Sequence, residues 1–318
     1  MHDAQVVEAA TPPVPCVPLT GSAEVFADNL RGGGITLDAL HVYVGEGFVG
    51  VERLDAISKA DGGISSLGWG GAEYGIRNDA DFVYWVSYGS LPNSPPQLSG
   101  VVSRVAKADG ATTILAQGTR AEHEDGRWTN AAIDDTSVYW LDTGTLLYNY
   151  VDGQVMKVAK SGGKPVVLAP SQDGLMDIGV DSQAVYWTAR AGLMQTPNGG
   201  ATSTMVAFGA PPTFVYGADL LALDDAYVYF TDGRLLERAS IATATTEVLY
   251  SGGDVVALTI DAGCVYFATN TAIFQIAKTG GVPSHLADIG GKVWRLAADE
   301  SGLYFVDYGK GQIGRIKR

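Results

Sequence analysis

Short apolar runs separated by small and polar residues recur along the whole chain, and no segment sustains the three-to-four spacing of an amphipathic helix. One phrase organises these runs: an Asp followed five residues later by a Tyr, with Trp, Phe or Val next. The copies are Asp38/Tyr43, Asp79/Tyr84, Asp134/Tyr139, Asp181/Tyr186, Asp224/Tyr229, Asp261/Tyr266 and Asp299/Tyr304, spaced by 37 to 55 residues. The third copy is the clearest. A short apolar strand ends at Asp134, whose carboxylate can bond the N–H groups of its own turn. Val138-Tyr139-Trp140 is apolar at consecutive positions, the pattern of a strand buried on both faces. A strand alternating over Gln154–Lys160 follows, then a turn at Ser161-Gly162-Gly163 and a last strand at Val166–Ala169. The Gly pair supplies the positive φ of a tight hairpin. A second marker falls at that turn, Lys-x-x-Gly at Lys59, Lys107, Lys160 and Lys278, with a relative at Pro197-Asn198-Gly199-Gly200.

A four-stranded unit repeated roughly every 40 residues predicts an all-β fold, a seven-bladed β-propeller of four-stranded antiparallel blades. Length alone would suggest two domains, but the repeat predicts one, residues 21–318, behind an N-terminal tail of residues 1–20. The seventh unit ends at its third strand, Gln312–Lys317. The segment Ala23–Ala27 has strand character and would complete the C-terminal blade, closing the ring and removing an open sheet edge.

The run Tyr139-Trp140-Leu141-Asp142 resembles the Tyr-Trp-Thr-Asp repeat of low-density-lipoprotein-receptor-type propellers, with looser copies at Tyr229-Phe230-Thr231-Asp232 and Tyr304-Phe305-Val306-Asp307. The chain is also similar to exported bacterial propellers carrying this kind of repeat. Three of the seven copies keep the final Asp, and that receptor family has six blades rather than seven. The motif is structural, so the resemblance implies a fold and assigns no catalytic residue.

The formal net charge of −14 repels phosphate backbones and anionic lipid, which argues against nucleic-acid or membrane-surface partners. No apolar run approaches the ~18 residues of a membrane span. The Ala- and Pro-rich start reads as the tail left by a removed export signal, giving an expected extracytoplasmic location (periplasmic, cell-surface or secreted) and a monomeric state. Cys16 and Cys264 have no metal-ligand spacing. They are either two inert thiols or a disulfide; both fall at the bottom of adjacent blades, where a bond would pin the tail.

The Asp-to-Tyr interval never varies, so the first hairpin turn marks a constant bottom face. Length varies instead in the second-to-third-strand loops and in the blade-to-blade connections, both of which open on the top face. The long segments are 65–77, 87–100, 116–130, 142–153 and 208–219, and loops on a rigid scaffold are where function usually sits. They carry aromatic and polar residues suited to stacking on a sugar or a peptide: Trp69, Glu73, Tyr74, Tyr88, Glu122, His123, Asp125, Arg127, Trp128, Tyr148, Tyr150 and Tyr216, with Trp294 at the top of the last blade. Some of these rings would serve only to pack their own loops. Glu122-His123-Glu124-Asp125 could ligate a hard cation or hold a general acid/base, but its spacing matches no calcium loop, and no cofactor or metal is expected. Asn130, Asp177 and Arg295 begin first strands and would line the channel mouth, around a ligand or ordered water. The sequence therefore favours a non-enzymatic binding propeller that engages a glycan or protein on its top face. The alternatives are an enzyme acting on a carbohydrate or secondary metabolite from that face, and a scaffold without a small ligand.

Overall fold

A computed structural model of the chain describes residues 14–30, 32–48, 51–69, 75–88, 100–118, 128–144, 151–200, 202–208 and 220–318. Its strands form seven four-stranded antiparallel sheets, with no helix among the described residues. Blade three is built from Trp128–Ile133, Ser137–Asp142, Gly153–Ala159 and Val166–Gln172, paired in that order, and the other blades repeat the plan. The first strand of each blade contacts the first strand of the next, and Val293–Asp299 of blade seven meets Gly32–Leu37 of blade one. The ring closes as expected: Ala23–Asp28 pairs with Gln312–Lys317, Ala23 opposite Ile316 and Asp28 opposite Gln312.

The consecutive apolar run in each second strand is explained by stacking of the blades. Val138, Tyr139, Trp140 and Leu141 are all fully buried. Val138 and Trp140 pack against Tyr84 and Val86 of blade two. Tyr139 and Leu141 point the other way, against Val185 and Trp187 of blade four. The core is a ring of such inter-blade layers, and each strand needs both of its faces apolar.

The Asp–Tyr phrase is a bonded unit. Asp134 Oδ1 accepts the N–H groups of Thr136 and Ser137, both at 2.7 Å, and Oδ2 accepts the Tyr139 hydroxyl at 2.6 Å. Asp38, Asp79, Asp181, Asp224 and Asp261 each accept the Tyr hydroxyl five residues on in the same way. In blade seven Ser301 intervenes, bonding both Asp299 and the Tyr304 hydroxyl.

The Lys of the second marker completes this unit from the neighbouring blade. Lys107 reaches Asp38 at 2.8 Å, Lys160 reaches Asp79 at 2.7 Å and Lys278 reaches Asp224 at 2.8 Å. Lys59 pairs with Asp299, and the terminal Arg318 takes the same place against Asp261. The two sequence markers are thus the two halves of one inter-blade contact, repeated round the bottom face. Burial alone would raise these carboxyls, but the cation, the Tyr hydroxyl and the turn N–H groups outweigh it. Asp79 is held down to about 2, and Asp38, Asp224, Asp261 and Asp299 also lie below their ordinary value. Burial and the adjacent carboxylate push the partner hydroxyls of Tyr43, Tyr84 and Tyr266 up.

Two boundaries break the pattern. Blade four has Asn198 where the Lys should stand, and blade five has Ile241. The Asn198 amide donates to the Asp181 carbonyl of its own blade at 2.9 Å, while its buried Oδ1 has no hydrogen-bond partner.

The segment before the closing strand is tied to the bottom of blade six. Cys16 and Cys264 form a disulfide, with their Cα atoms 4.8 Å apart. Gly263 lets the chain pass, since a Cβ there would lie 2.4 Å from the Pro15 carbonyl oxygen. Leu19 is buried among Tyr266, Ile273 and Leu303, and its N–H donates to Gln275 Oε1 at 3.1 Å.

Candidate functional site

First strands start, and second strands end, on the face opposite the Asp–Tyr turns. The backbone register places Trp69 opposite Arg53, Tyr88 opposite Gly100 and Trp128 opposite Asp142, all at this top face. The side chains of these three lie outside the described residues, as do Glu73, Tyr74, Glu122, His123, Asp125, Arg127, Tyr148, Tyr150 and Tyr216 in full. Trp294 is the expected ligand-facing residue whose side chain the structure describes.

Trp294 stacks on Tyr308, with ring centroids 4.5 Å apart and planes within 1° of parallel. Tyr308 is 41% exposed, so one aromatic shelf faces solvent at the top of blade seven. Its support comes from the final Asp of the repeat. Asp307 is buried at 1% exposure, accepts the Lys310 N–H at 3.2 Å and pairs with the Lys310 ammonium at 3.4 Å, which shapes the turn carrying Tyr308. Asp142 and Asp232 act alike, accepting the N–H of Gly144 and those of Arg234 and Leu235. In blade six Thr269 substitutes, its hydroxyl accepting from Thr271 and Ala272. Retention of the Asp in three copies therefore tracks turn construction. Tyr308 was not anticipated, although its place directly after a final Asp and before Gly309 is the signal that would have found it.

Asn130, Asp177 and Arg295 come together, but as a bridge between blades. Each is at most 2% exposed. Arg295 of blade seven donates to Asn130 Oδ1 at 3.1 Å, and Asn130 Nδ2 donates to the Met176 carbonyl at 2.6 Å and to Asp177 Oδ1 at 3.0 Å. Asp177 Oδ2 accepts the N–H groups of Leu220 and Leu221 at 2.7 and 2.9 Å. Blades seven and three lie as far apart as a sevenfold ring allows, so this link crosses the axis. Asn130 reaches it from a bulge between Thr129 and Ala131, at a φ of +37°. Gly75 makes room for the bulge, because a Cβ there would lie 2.4 Å from the Ala131 nitrogen. With these polar groups engaged to one another, the top of the channel is bridged by protein.

Below the bridge lies a cavity of about 380 Å³ to which the first strands of all seven blades contribute. Its lining side chains are mostly aliphatic, with Thr36, Thr259 and Arg77 the polar ones, but its surface is as polar as it is apolar. Among the described residues no group of three or more His, Cys, Asp or Glu could hold a metal ion.

No family model matches the sequence, and no curated protein matches it significantly. Solved structures do match in shape. An oligogalacturonate lyase in complex with manganese aligns with a TM-score of 0.66 at 12% identity, covering 94% of this chain and 91% of that one. The oligogalacturonate lyase of Vibrio parahaemolyticus gives 0.62 at 11% identity, over 95% and 92%. The extracellular domain of a hybrid two-component system from B. thetaiotaomicron gives 0.66 at 9% identity, over 94% of this chain and 40% of that one. Likeness at these identities is one of fold.

Proposed function

We propose that this chain is a non-enzymatic binding propeller that engages a glycan, or a protein partner, on its top face, and that it works outside the cytoplasm. The observation that carries the reading is the half-open Trp294–Tyr308 shelf, set on a turn built by a buried Asp. A flat, pre-ordered aromatic surface stacks on a sugar ring at little entropic cost, with the exposed Lys292 nearby able to serve acidic substituents. The axial bridge supports the same reading, since Asp177 is held by a neighbouring blade and Arg295 by one across the axis, so the top face presents a floor rather than a shaft. The disulfide fits an oxidising compartment.

The test is binding to an array of neutral and acidic oligosaccharides, with Trp294→Ala and Tyr308→Ala compared against Trp69→Ala and Trp128→Ala. Binding should fall at least tenfold in the first pair, with the melting temperature nearly unchanged. Undiminished binding in all four variants would refute the reading, and turnover of a bound sugar would move the protein into the enzyme class.

A further inference from the structure

We propose a second, independent site: the cavity beneath the axial bridge takes a small organic anion with an apolar body, such as a medium-chain carboxylate. Side chains of the wall give the apolar half of the match. The half-buried Leu37, Ile133, Val180 and Leu223 line an open space of about 380 Å³, within the range of small-ligand pockets, with polar surface between them. The charge gives the other half. In a chain of formal net charge −14, the lining contains no carboxylate among the described residues, and the ionised group it holds is the Arg77 guanidinium. Arg77 stands on the first strand of blade two between Ile76 and Asn78. Among the described residues its guanidinium makes a 2.8 Å bond from Nη1 to the carbonyl of the preceding residue. One short neutral bond leaves most of its fixed fork of donors for a ligand, and a fork matches a carboxylate in two places. The neighbouring Thr36 hydroxyl is already spent on Asn78 Oδ1.

The arrangement also sets the direction of approach. Arg295, Asn130 and Asp177 bridge the axis above, so a ligand comes in from the bottom face, past the ends of the first strands. There Asp38, Asp79 and Asp224 are paired with lysines, while the exposed Asp81, Asp135, Asp225 and Glu300 of the same turns keep the mouth acidic. Affinity for an anion therefore rests on Arg77 and should rise with salt that screens the mouth.

Calorimetric titration with octanoate, octanamide and octylamine tests the site. Octanoate should bind saturably at one site per chain, octanamide at least tenfold more weakly, and octylamine not at all. Arg77→Met should weaken octanoate at least tenfold and leave octanamide unchanged, while Arg77→Lys should recover part of the loss. Ala298→Trp, at the half-buried rim, should block both ligands, and Trp294→Ala should affect neither, which separates this site from the top face. Absence of saturable octanoate binding, or equal octanoate affinity in wild type and a folded Arg77→Met, would overturn the proposal. If Arg77→Met does not fold, the preference for octanoate over octanamide in the wild type decides alone.

Discussion

Replacing Asn198 with Lys should stabilise the protein, because it supplies a missing rung of the inter-blade ladder. Asn198 already has the backbone of a ladder lysine. Its N–H donates to the Gln183 carbonyl at 3.0 Å, as the Lys59 N–H does to Leu40 at 2.9 Å. Gly200 closes the turn on Pro197 at 2.8 Å, as Gly162 closes on Ala159. Across the boundary, Asp134 is arranged like Asp79 but, among the described residues, receives no lysine or arginine. A charge-assisted bond at such a site contributes about 1.5–3 kcal/mol, and removing the orphaned Asn198 Oδ1 recovers about 1 kcal/mol. Ordering a lysine chain costs up to about 2 kcal/mol. The net gain is about 1 kcal/mol, or about 2 °C in melting temperature for a chain of this size.

Calorimetry and denaturant unfolding at pH 7 and near pH 2 would measure it, with a double-mutant cycle through Asp134→Asn. The Asn keeps an oxygen for the two turn N–H groups, so the cycle isolates the charge. Burial would raise the Asp134 carboxyl, but the Tyr139 hydroxyl and the turn bonds set it below its ordinary value. The pair's contribution is therefore complete above the unfolded carboxyl value of about 3.9 and is lost as pH falls through the folded one. A gain that persists at low pH, or is equally large with Asn at 134, would refute the charge-pair reasoning.

Two further outcomes follow from the same contacts. Melting temperature should fall between about pH 4 and 2, as Asp79 (folded value about 2) and its equivalents are protonated; Asp55 and Glu237, raised by burial, work in the opposite sense above about pH 4, before that fall begins. A flat profile across that window would show that the motif carboxylates do not stabilise the fold. Reducing the Cys16–Cys264 bond, or changing both residues to Ser, should lower stability by up to about 5 kcal/mol, the entropic value for a very long loop. Equal unfolding curves for oxidised and reduced protein would sink that estimate.

The fold was legible because each blade must satisfy the same neighbours, so its requirements repeat in the sequence. Double-sided burial forces consecutive apolar residues such as Val138-Tyr139-Trp140, and the tight first turn forces Asp134 with Tyr139. Even the pairing of Asp38 with Lys107 could have been found, since both markers recur in fixed order one blade apart. The top face repeats only its turn-building Asp, at 142, 232 and 307, and not the side chains a ligand would meet. Tyr308 gains its importance from Trp294 through a turn built by Asp307, and Arg77 from walls contributed by six other blades. Neither relation leaves a spacing to read. The axial bridge was half visible: Asn130, Asp177 and Arg295 stood out as polar starts to apolar strands, but a link from blade three to blade seven depends on ring closure.

That bridge also answers a question raised by the ladder. Among the described residues the motif Asp–Lys pair is missing at the boundaries between blades three and four and between blades four and five, where Asn198 and Ile241 replace the lysine, and Lys157 of blade three reaches the Asn198 carbonyl instead at 3.1 Å. These are the two boundaries that Asp177 spans at the other end of the same blade. It receives Asn130 from blade three on one oxygen and the Leu220 and Leu221 N–H groups of blade five on the other. A buried carboxylate taking several hydrogen bonds is held more firmly than a half-exposed ion pair, and removing it leaves donors buried without partners. Blade four is therefore fastened to both neighbours through Asp177 at the top. The Lys-x-x-Gly marker is Pro197-Asn198-Gly199-Gly200 there, so the motif pair is replaced by the Asp177 bonds above and the Lys157 bond below, while the Asp–Tyr pair, needed for its own turn, persists at Asp181 and Tyr186.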